Sequence, residues 1–550
     1  MTKHETSPQT GVARRTLLAA GALSAAAAGW GAASAPSAHA SRGRQAGGGQ
    51  GVGRQVLFSE SFDEVFRPTG FTHDAPKGWT NEASGFRTGE GRWSGWTFTD
   101  VREWTWAVGT DERHWFTGGF GTFAVLESEH HRLDEESDDV LNATLTTPAI
   151  PVRGHRTLEL AFDSHYRQGR SQQSAAVTVS FDGGRFRDLV VYSADKYTSH
   201  EQIPVQVPAG ASSVRFAWEY RNGHNDKWWA IDNIEVRVPL GELPADAEPQ
   251  VTIDVISDLH VSDSAGSSGP YDRAVDQLNA LSPAAGALVI NGDAVEYGLK
   301  AHYDGLAAAL AARPHASGNV LYSVGNHEML GKEGSDVYLN RYLKVAGEDR
   351  PYFERVVDGL PLIVTGTEYF GDTEREGREP YNNFSAAQLQ WLDGRLEHWR
   401  RKGQTVLLFN HFVLPYTVSM THSSWEQNNY ENIDDFNAVV GKYTNILMLT
   451  SHTHADVNLN DWWGTYRVAD PKNPAGFPVV NTGALLNASV PKGDHVSTRL
   501  QGEHSTGLRV HRYEDRIRVV AYDFVAGKAL KHQDFPLGGA PGVDGRRARG

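Results

Sequence analysis

The sequence predicts a multidomain protein in which an all-β sandwich is followed by an α/β unit. Three observations carry this. Over residues 55–238 apolar and polar residues alternate at period two, the mark of half-buried strands. From Val251 onward continuous apolar runs alternate with helical patterns, as expected of strands buried on both faces. Between the two, "PLGELPADAEPQ" over 239–250 is rich in Pro and acidic residues and has no periodicity, which marks a linker. At 550 residues the chain is long enough for more than one core, since a domain takes about 150 residues.

Taken in order, residues 1–40 hold Arg14-Arg15, an apolar Ala-rich run over 17–33 and the small-x-small pattern Ala38-His39-Ala40. This resembles a twin-arginine export signal cut after Ala40, although Ala13 stands where Ser or Thr is more usual. The run is short and weakly hydrophobic, and no second apolar stretch in the sequence is long enough to span a membrane, so a secreted protein is expected. The segment 41–54, "SRGRQAGGGQGVGR", reads as a flexible linker.

Within 55–238, Leu158, Leu160 and Phe162 alternate with Glu159, Ala161 and Asp163, and Val214, Phe216, Trp218 and Tyr220 alternate with Arg215, Ala217 and Glu219. Val177, Val179 and Phe181 run into Asp182-Gly183-Gly184, a hairpin signal. Many short strands and no convincing helical period predict a β-sandwich. Nine of the fifteen tryptophans lie here; they serve either as core or as a sugar-stacking platform, and a sandwich uses most of them as core. The block's start, "VLFSESFDE", and end, "WWAIDNIEVRV", resemble the outer strands of jelly-roll modules of the MAM or carbohydrate-binding type. That resemblance implies a jelly-roll topology, contact with polysaccharide or cell wall, and a structural calcium on carboxylates such as Glu60 and Asp232. The alternative is that these two are ordinary polar strand positions. The acidic stretch over 127–139 reads as a solvated loop.

In the α/β unit, 251–535, the clearest helix follows Ser385. With Gln388 it forms a capping box, Leu389, Leu392, Leu396 and Trp399 mark one face, and Gly403 stops it. Residues 536–550 read as a flexible tail. The formal net charge is −15, which argues against broad capture of nucleic acid or anionic membrane. There is no cysteine, so a transition-metal site must be built from His, Asp, Glu and Asn. Neither a G-x-S-x-G elbow nor a P-loop occurs, which removes the anchors of serine-esterase and P-loop readings.

Ligand-type residues end five apolar runs: Asp258-Leu259-His260, Asp293, Asn326-His327-Glu328, His411, and His452-Thr453-His454. One H-x-H among 23 histidines carries little weight. Five such blocks at the C-terminal ends of buried strands carry much more, because open α/β sheets place ligands at that edge. An extended backbone would project His452 and His454 to one side. The set supplies ligands for two divalent ions but too few carboxylates for a calcium cage. Asp293, alone after its glycine, is the natural bridge between ions about 3.5–4 Å apart.

In the order D-x-H, G-D, G-N-H-E, H and H-x-H, these blocks resemble the calcineurin-like metallophosphoesterase superfamily, from about Val251 to Asp523. The resemblance implies a four-layer α/β/β/α domain with a dinuclear site at one sheet edge. Asp258, His260 and His454 would bind one metal, Asn326, His411 and His452 the other, and Asp293 would bridge. His327 would meet the scissile phosphate, donating a proton or stabilising charge. Ser451 stands where the family commonly has Gly. His260 is kept where purple acid phosphatases have glycine, so an iron tyrosinate centre is not expected. Mn, Fe and Zn all suit the ligands.

The expected activity is hydrolysis of a small phosphoester by in-line attack of a hydroxide bridging the two metals. Glu328 either orients the His327 ring or is a surface carboxylate. No Arg cluster adjoins the five blocks, which favours a phosphodiester over a monoester, with Arg378 and Arg467 as the two that can fold inward. The aromatic stretches "THSSWEQNNYEN" and "NDWWGTYRV" are either the wall of a substrate mouth or packing for a cap. The competing function is a wall-binding or carbohydrate-binding protein with a vestigial phosphoesterase unit; the complete ligand set argues against it.

Overall fold

A computed structural model describes residues 54–537, except 87–91, 111, 131–139, 170–171, 225–226, 370–381, 423–428, 469–472, 474 and 494–495. The expected export signal, the linker up to residue 53, most of the acidic stretch over 127–139, Arg378, the middle of "THSSWEQNNYEN" and the tail from 538 lie outside the described residues.

The period-two stretches form strands. Leu158 to Phe162 lie in Thr157–Tyr166, Val214 to Tyr220 lie in Ser213–Gly223, and Ser174–Phe181 turns at Asp182-Gly183 into Arg187–Tyr192. Asp182 and Gly183 both have positive φ, 50° and 74°, which suits the right-handed twist of a hairpin. Twelve such strands make two antiparallel six-stranded sheets around one core rich in aromatic side chains, among them Phe62, Trp96, Trp218 and Trp229. Eight of the nine tryptophans of this region are buried, and only Trp106 is exposed, at 78%. Most are therefore core.

One expectation needs correction here. The region does contain a helix, Val101–Val108, capped by Asp100, whose side chain accepts from the Glu103 N–H. For Glu60 and Asp232 the bonds fit the reading as ordinary polar positions. Among the described residues neither belongs to a group of three side chains able to share an ion. Glu60 accepts from the Phe62 N–H, and Asp232 from the Phe120 and Asn233 N–H groups.

Beyond residue 250 two more six-stranded sheets follow. In the first, Val251–Ile256, Ala287–Asn291 and Val320–Ser323 run parallel, and the antiparallel strands Thr506–Arg512, Arg516–Asp523 and Lys528–Pro536 extend it. In the second, Leu360–Val364, Val406–Phe409, Ile446–Thr450 and Phe477–Asn481 run parallel between antiparallel edges. Side chains of each strand alternate between two cores. Ala287, Val289, Leu407 and Phe409 meet in one. Leu288, Ile290, Val406 and Leu408 join Val275, Leu278, Leu392 and Leu396 of the helices in the other.

The helix after Ser385 spans Ala386–Arg401, with the predicted face Leu389, Leu392, Leu396 and Trp399 buried and Gly403 beyond its end at φ 65°. Only half of the capping box forms. Ser385 Oγ accepts from the Gln388 N–H, but the Gln388 side chain turns to the Gly366 backbone instead. No helix among the described residues is long and apolar enough to cross a membrane.

Candidate metal centre

All five blocks follow directly on parallel strands, at their C-terminal ends, three from one sheet and two from the other. Asn291 joins the two edges. Its carbonyl accepts from His411 Nδ1 at 2.8 Å, Ser451 Oγ at 2.7 Å and Ser257 Oγ at 2.9 Å, while its side-chain amide donates to the Leu449 carbonyl at 3.1 Å. Ser451 thus has a role that a glycine could not fill.

The H-x-H block does not work as an extended strand. Ile446–Thr450 ends before it, and His452 and His454 have positive φ, 67° and 51°. Asp258, His260 and Asp293 do too, at 54°, 50° and 50°. This left-handed conformation costs roughly 1–3 kcal/mol per non-glycine residue and persists only where surrounding bonds over-determine it. Those bonds run between loops: Asp258 N–H to the Gly292 carbonyl at 3.1 Å, and His260 N–H to the Asp293 carbonyl at 3.0 Å. As a result His452 and His454 serve different clusters, His452 with Asp293 and His411, His454 with Asp258 and His260.

The tautomers follow from the outer hydrogen bonds. His411 Nδ1 donates to the Asn291 carbonyl, so Nε2 faces inward, 3.1 Å from Asp293 Oδ2 and 3.2 Å from Asn326 Oδ1. His454 Nδ1 donates to the Leu486 carbonyl at 2.7 Å, so its Nε2 lies 3.2 Å from Asp258 Oδ1 and 3.1 Å from His260 Nε2. His452 Nδ1 comes within 3.0 Å of Asn326 Oδ1. Each cluster therefore brings acceptor atoms together without enough protons between them. Both oxygens of buried Asp258 lack a hydrogen-bond donor; the His454 contact has the distance of an ion pair but not the angles of a hydrogen bond. A divalent cation satisfies such a set, and the borderline N/O donors fit Mn, Fe or Zn.

Electrostatics show the same need for positive charge, which without a cation is met by a proton on the His411 ring. Burial raises the Asp293 carboxyl, but the His411 and His327 charges outweigh it and hold it well below the usual carboxylate range. Burial lowers the His411 ring, yet Asp293 reverses this and brings it to about 10. Burial leaves His260 below its ordinary value, while Asp258 lifts His454 against the same burial.

Glu328 matches neither role expected of it. It is 1% exposed, and the His327 ring is oriented instead by the Glu296 carbonyl, which accepts from Nδ1 at 2.7 Å. The Glu328 carboxylate clamps backbone: Oε2 accepts from the Asp293 and Gly325 N–H groups at 2.9 and 2.7 Å, Oε1 from Ala294 and Val295 at 2.7 and 3.3 Å. Burial and the Asp293 charge push its carboxyl up to about 7, against four N–H donors that favour the ionised form. Arg467 lies where its charge bears on Asp232. Asn291, Leu486 and Glu296 went unnoticed in the sequence; only Asn291, a polar residue closing the run "ALVIN", left a readable sign.

No family model matches the chain. No curated protein matches it either. Among solved structures, a purple acid phosphatase from yellow lupin (Lupinus luteus) seeds is 12% identical, with 76% of this chain and 82% of that one covered and a TM-score of 0.38. The K1 cleaved adhesin domain of Lys-gingipain from Porphyromonas gingivalis is 16% identical over 33% of this chain and 98% of its own, with a TM-score of 0.22. A carbohydrate-binding module in complex with β-1,4-galactotriose is 11% identical over 29% and 88%, with a TM-score of 0.20. Likenesses of this extent leave the chemistry to be argued from the chain's own residues.

Proposed function

We propose that this chain is a metal-dependent phosphoesterase with a dinuclear site, acting on phosphodiesters. The observation that carries it is the convergence of Asp258, His260, Asp293, Asn326, His411, His452 and His454 from two sheets, with acceptor atoms facing acceptor atoms. Asp258, His260 and His454 hold one ion, and Asn326, His411 and His452 the other. Asp293 would be shared, since its carboxylate lies in the cluster of His411 and His452 and also beside His260, a member of the other set, and His327. Two divalent ions held there would supply an activated water and neutralise phosphate charge.

The chain's own groups do the rest. His327, fixed through Nδ1, presents Nε2 to the site. With Nδ1 committed to the Glu296 carbonyl, Nε2 is the atom left to meet the charge that develops on the phosphate or leaving oxygen. The Asn291 and Leu486 carbonyls keep His411 and His454 in the metal-binding tautomer. The preference for diesters rests on charge: among the described residues no Lys or Arg pairs with Asp258, Asp293, Asn326 or His327, and a monoester dianion calls for such a partner. The split of each strand between an inner core and a helix-covered core supports a four-layer α/β/β/α arrangement, and the two N-terminal sheets around one core support a jelly roll.

The test is hydrolysis of a 4-nitrophenyl diester and monoester after chelation and re-supply of Mn²⁺. The diester is expected to turn over faster, and Asp293→Asn to abolish turnover and lower metal content. Full activity of that variant with two metals per chain contradicts the assignment.

A further inference from the structure

A cavity of about 350 Å³ opens where the N-terminal sheets meet the unit that bears the ligand clusters. Trp115 comes from the turn Arg113–Trp115 and Tyr197 from the strand Lys196–Gln206, both in the N-terminal region; Met420, His422 and the run Asn458 to Asp461 come from loops after the fourth and fifth ligand blocks. Of the stretches "THSSWEQNNYEN" and "NDWWGTYRV", His422, Asn460 and Asp461 reach the lining, while Tyr430, Trp462 and Tyr466 are buried as packing. Val490, also in the lining, follows Ser489, whose N–H donates to the His454 carbonyl at 2.8 Å. Asn458 lies four residues beyond His454, at most about 14 Å along the chain. The cavity is thus built partly on the loop that carries His454, and its volume is at the small end of the range for ligand sites of about 300–1,000 Å³.

Its chemistry narrows the occupant. Among the described residues no Lys or Arg lines it, while Asp461 does, which disfavours a second anionic group. The Trp115 and Tyr197 rings stand 5.3 Å apart at 57°. That forms a corner, whereas a flat base stacks best on one ring or between parallel ones. A corner suits a puckered ring with C–H groups on more than one side. Each rim amide spends one N–H inside the chain, Asn458 on Asp456 and Asn460 on the Tyr197 carbonyl, which leaves its second N–H and its carbonyl oxygen to pair with hydroxyls, which both donate and accept. A puckered, uncharged ring bearing hydroxyls is a sugar.

We propose that this cavity is a subsite for a sugar ring esterified to the phosphate, so that the substrate is a glycosyl-bearing phosphodiester and the N-terminal sheets help to select it. This rests on the phosphoesterase reading, and the test separates the two. First, the full chain is titrated calorimetrically with the methyl glycosides of glucose, galactose, mannose and N-acetylglucosamine, which probes the cavity without turnover. At least one is expected to bind, and Trp115→Ala and the exposed Asn458→Leu each to weaken it about tenfold, with Trp115→Phe recovering part. Second, kcat/KM is compared for two diesters with the same 4-nitrophenyl leaving group, the other ester being that sugar or methyl. The sugar diester is expected to be preferred about tenfold, and the preference to fall in both variants. Failure of all four glycosides to bind, binding unaffected by either variant, or equal kcat/KM for the two diesters each overturns the subsite. Glycoside binding with no hydrolysis of either diester overturns the phosphoesterase reading instead.

Discussion

Glu328→Gln separates a clamp from a chemical role. In the wild type two N–H groups converge on each carboxylate oxygen. An amide offers one oxygen, so one pair of N–H groups faces the NH₂ and is left without an acceptor in a site closed to water. Each unsatisfied buried donor costs about 1–3 kcal/mol, which puts the change at roughly 2–6 kcal/mol. The clamped residues include Asp293 itself and Gly325, one position before Asn326, so both ligand loops loosen together. Loss of such outer partners typically lowers metal affinity 10–100-fold. Urea unfolding of the metal-free variant and competition against a chelator of known affinity read the two effects. A variant that keeps both its urea midpoint and its metal affinity would show that the carboxylate is not holding the loops, and the argument from its four donors would fail.

Gly325→Ala is expected to abolish activity while the protein stays folded, because the added methyl would sit 2.2 Å from Asp293 Oδ1 and 2.6 Å from Asp293 N; circular dichroism together with diester turnover checks this. In the N-terminal sheets, Glu127→Gln strips the buried Arg113 of its main partner, at a cost of about 3 kcal/mol, the low end for a broken buried pair because Glu129 still holds Arg113. Burial raises the Glu127 carboxyl, but Arg113 and its hydrogen-bond partners bring it from 4.5 down to about 2. A depressed carboxyl stabilises the fold fully above 4.5 and loses that contribution as pH falls through about 2. The stability gap between wild type and Glu127→Gln, followed by urea unfolding, should therefore be constant near neutrality and close in acid; a gap that widens in acid refutes the assignment.

Much of the molecule was legible because burial writes itself into the order of apolar residues. The runs ending at Ile256, Asn291, Phe409 and Thr450 could be read as strands, and the ligands after them as one edge, from residue types and spacing alone. What escaped was backbone. Nothing in "SHTHA" declares that His452 and His454 are left-handed, and that is what sends them to different clusters. The Glu328 clamp is equally silent, since its partners are N–H groups that every residue but proline carries. The helix Val101–Val108 was an avoidable omission: Asp100 and Glu103 are a readable start signal, masked by the strand-rich surroundings. Gln388 shows the converse, a motif whose second half was taken by a stronger tertiary bond to Gly366.

The ligand sets also bear on when metal can be captured during folding. On the proposed assignment Asp258 and His260 would need His454 from the other sheet, and Asn326 would need His411 and His452, so neither half of the unit would offer a full ligand set by itself. Only a chain whose two edges have already locked around the Asn291 carbonyl presents a complete cage. Loading with metal would then act as quality control on a nascent polypeptide, distinguishing finished molecules from half-assembled ones.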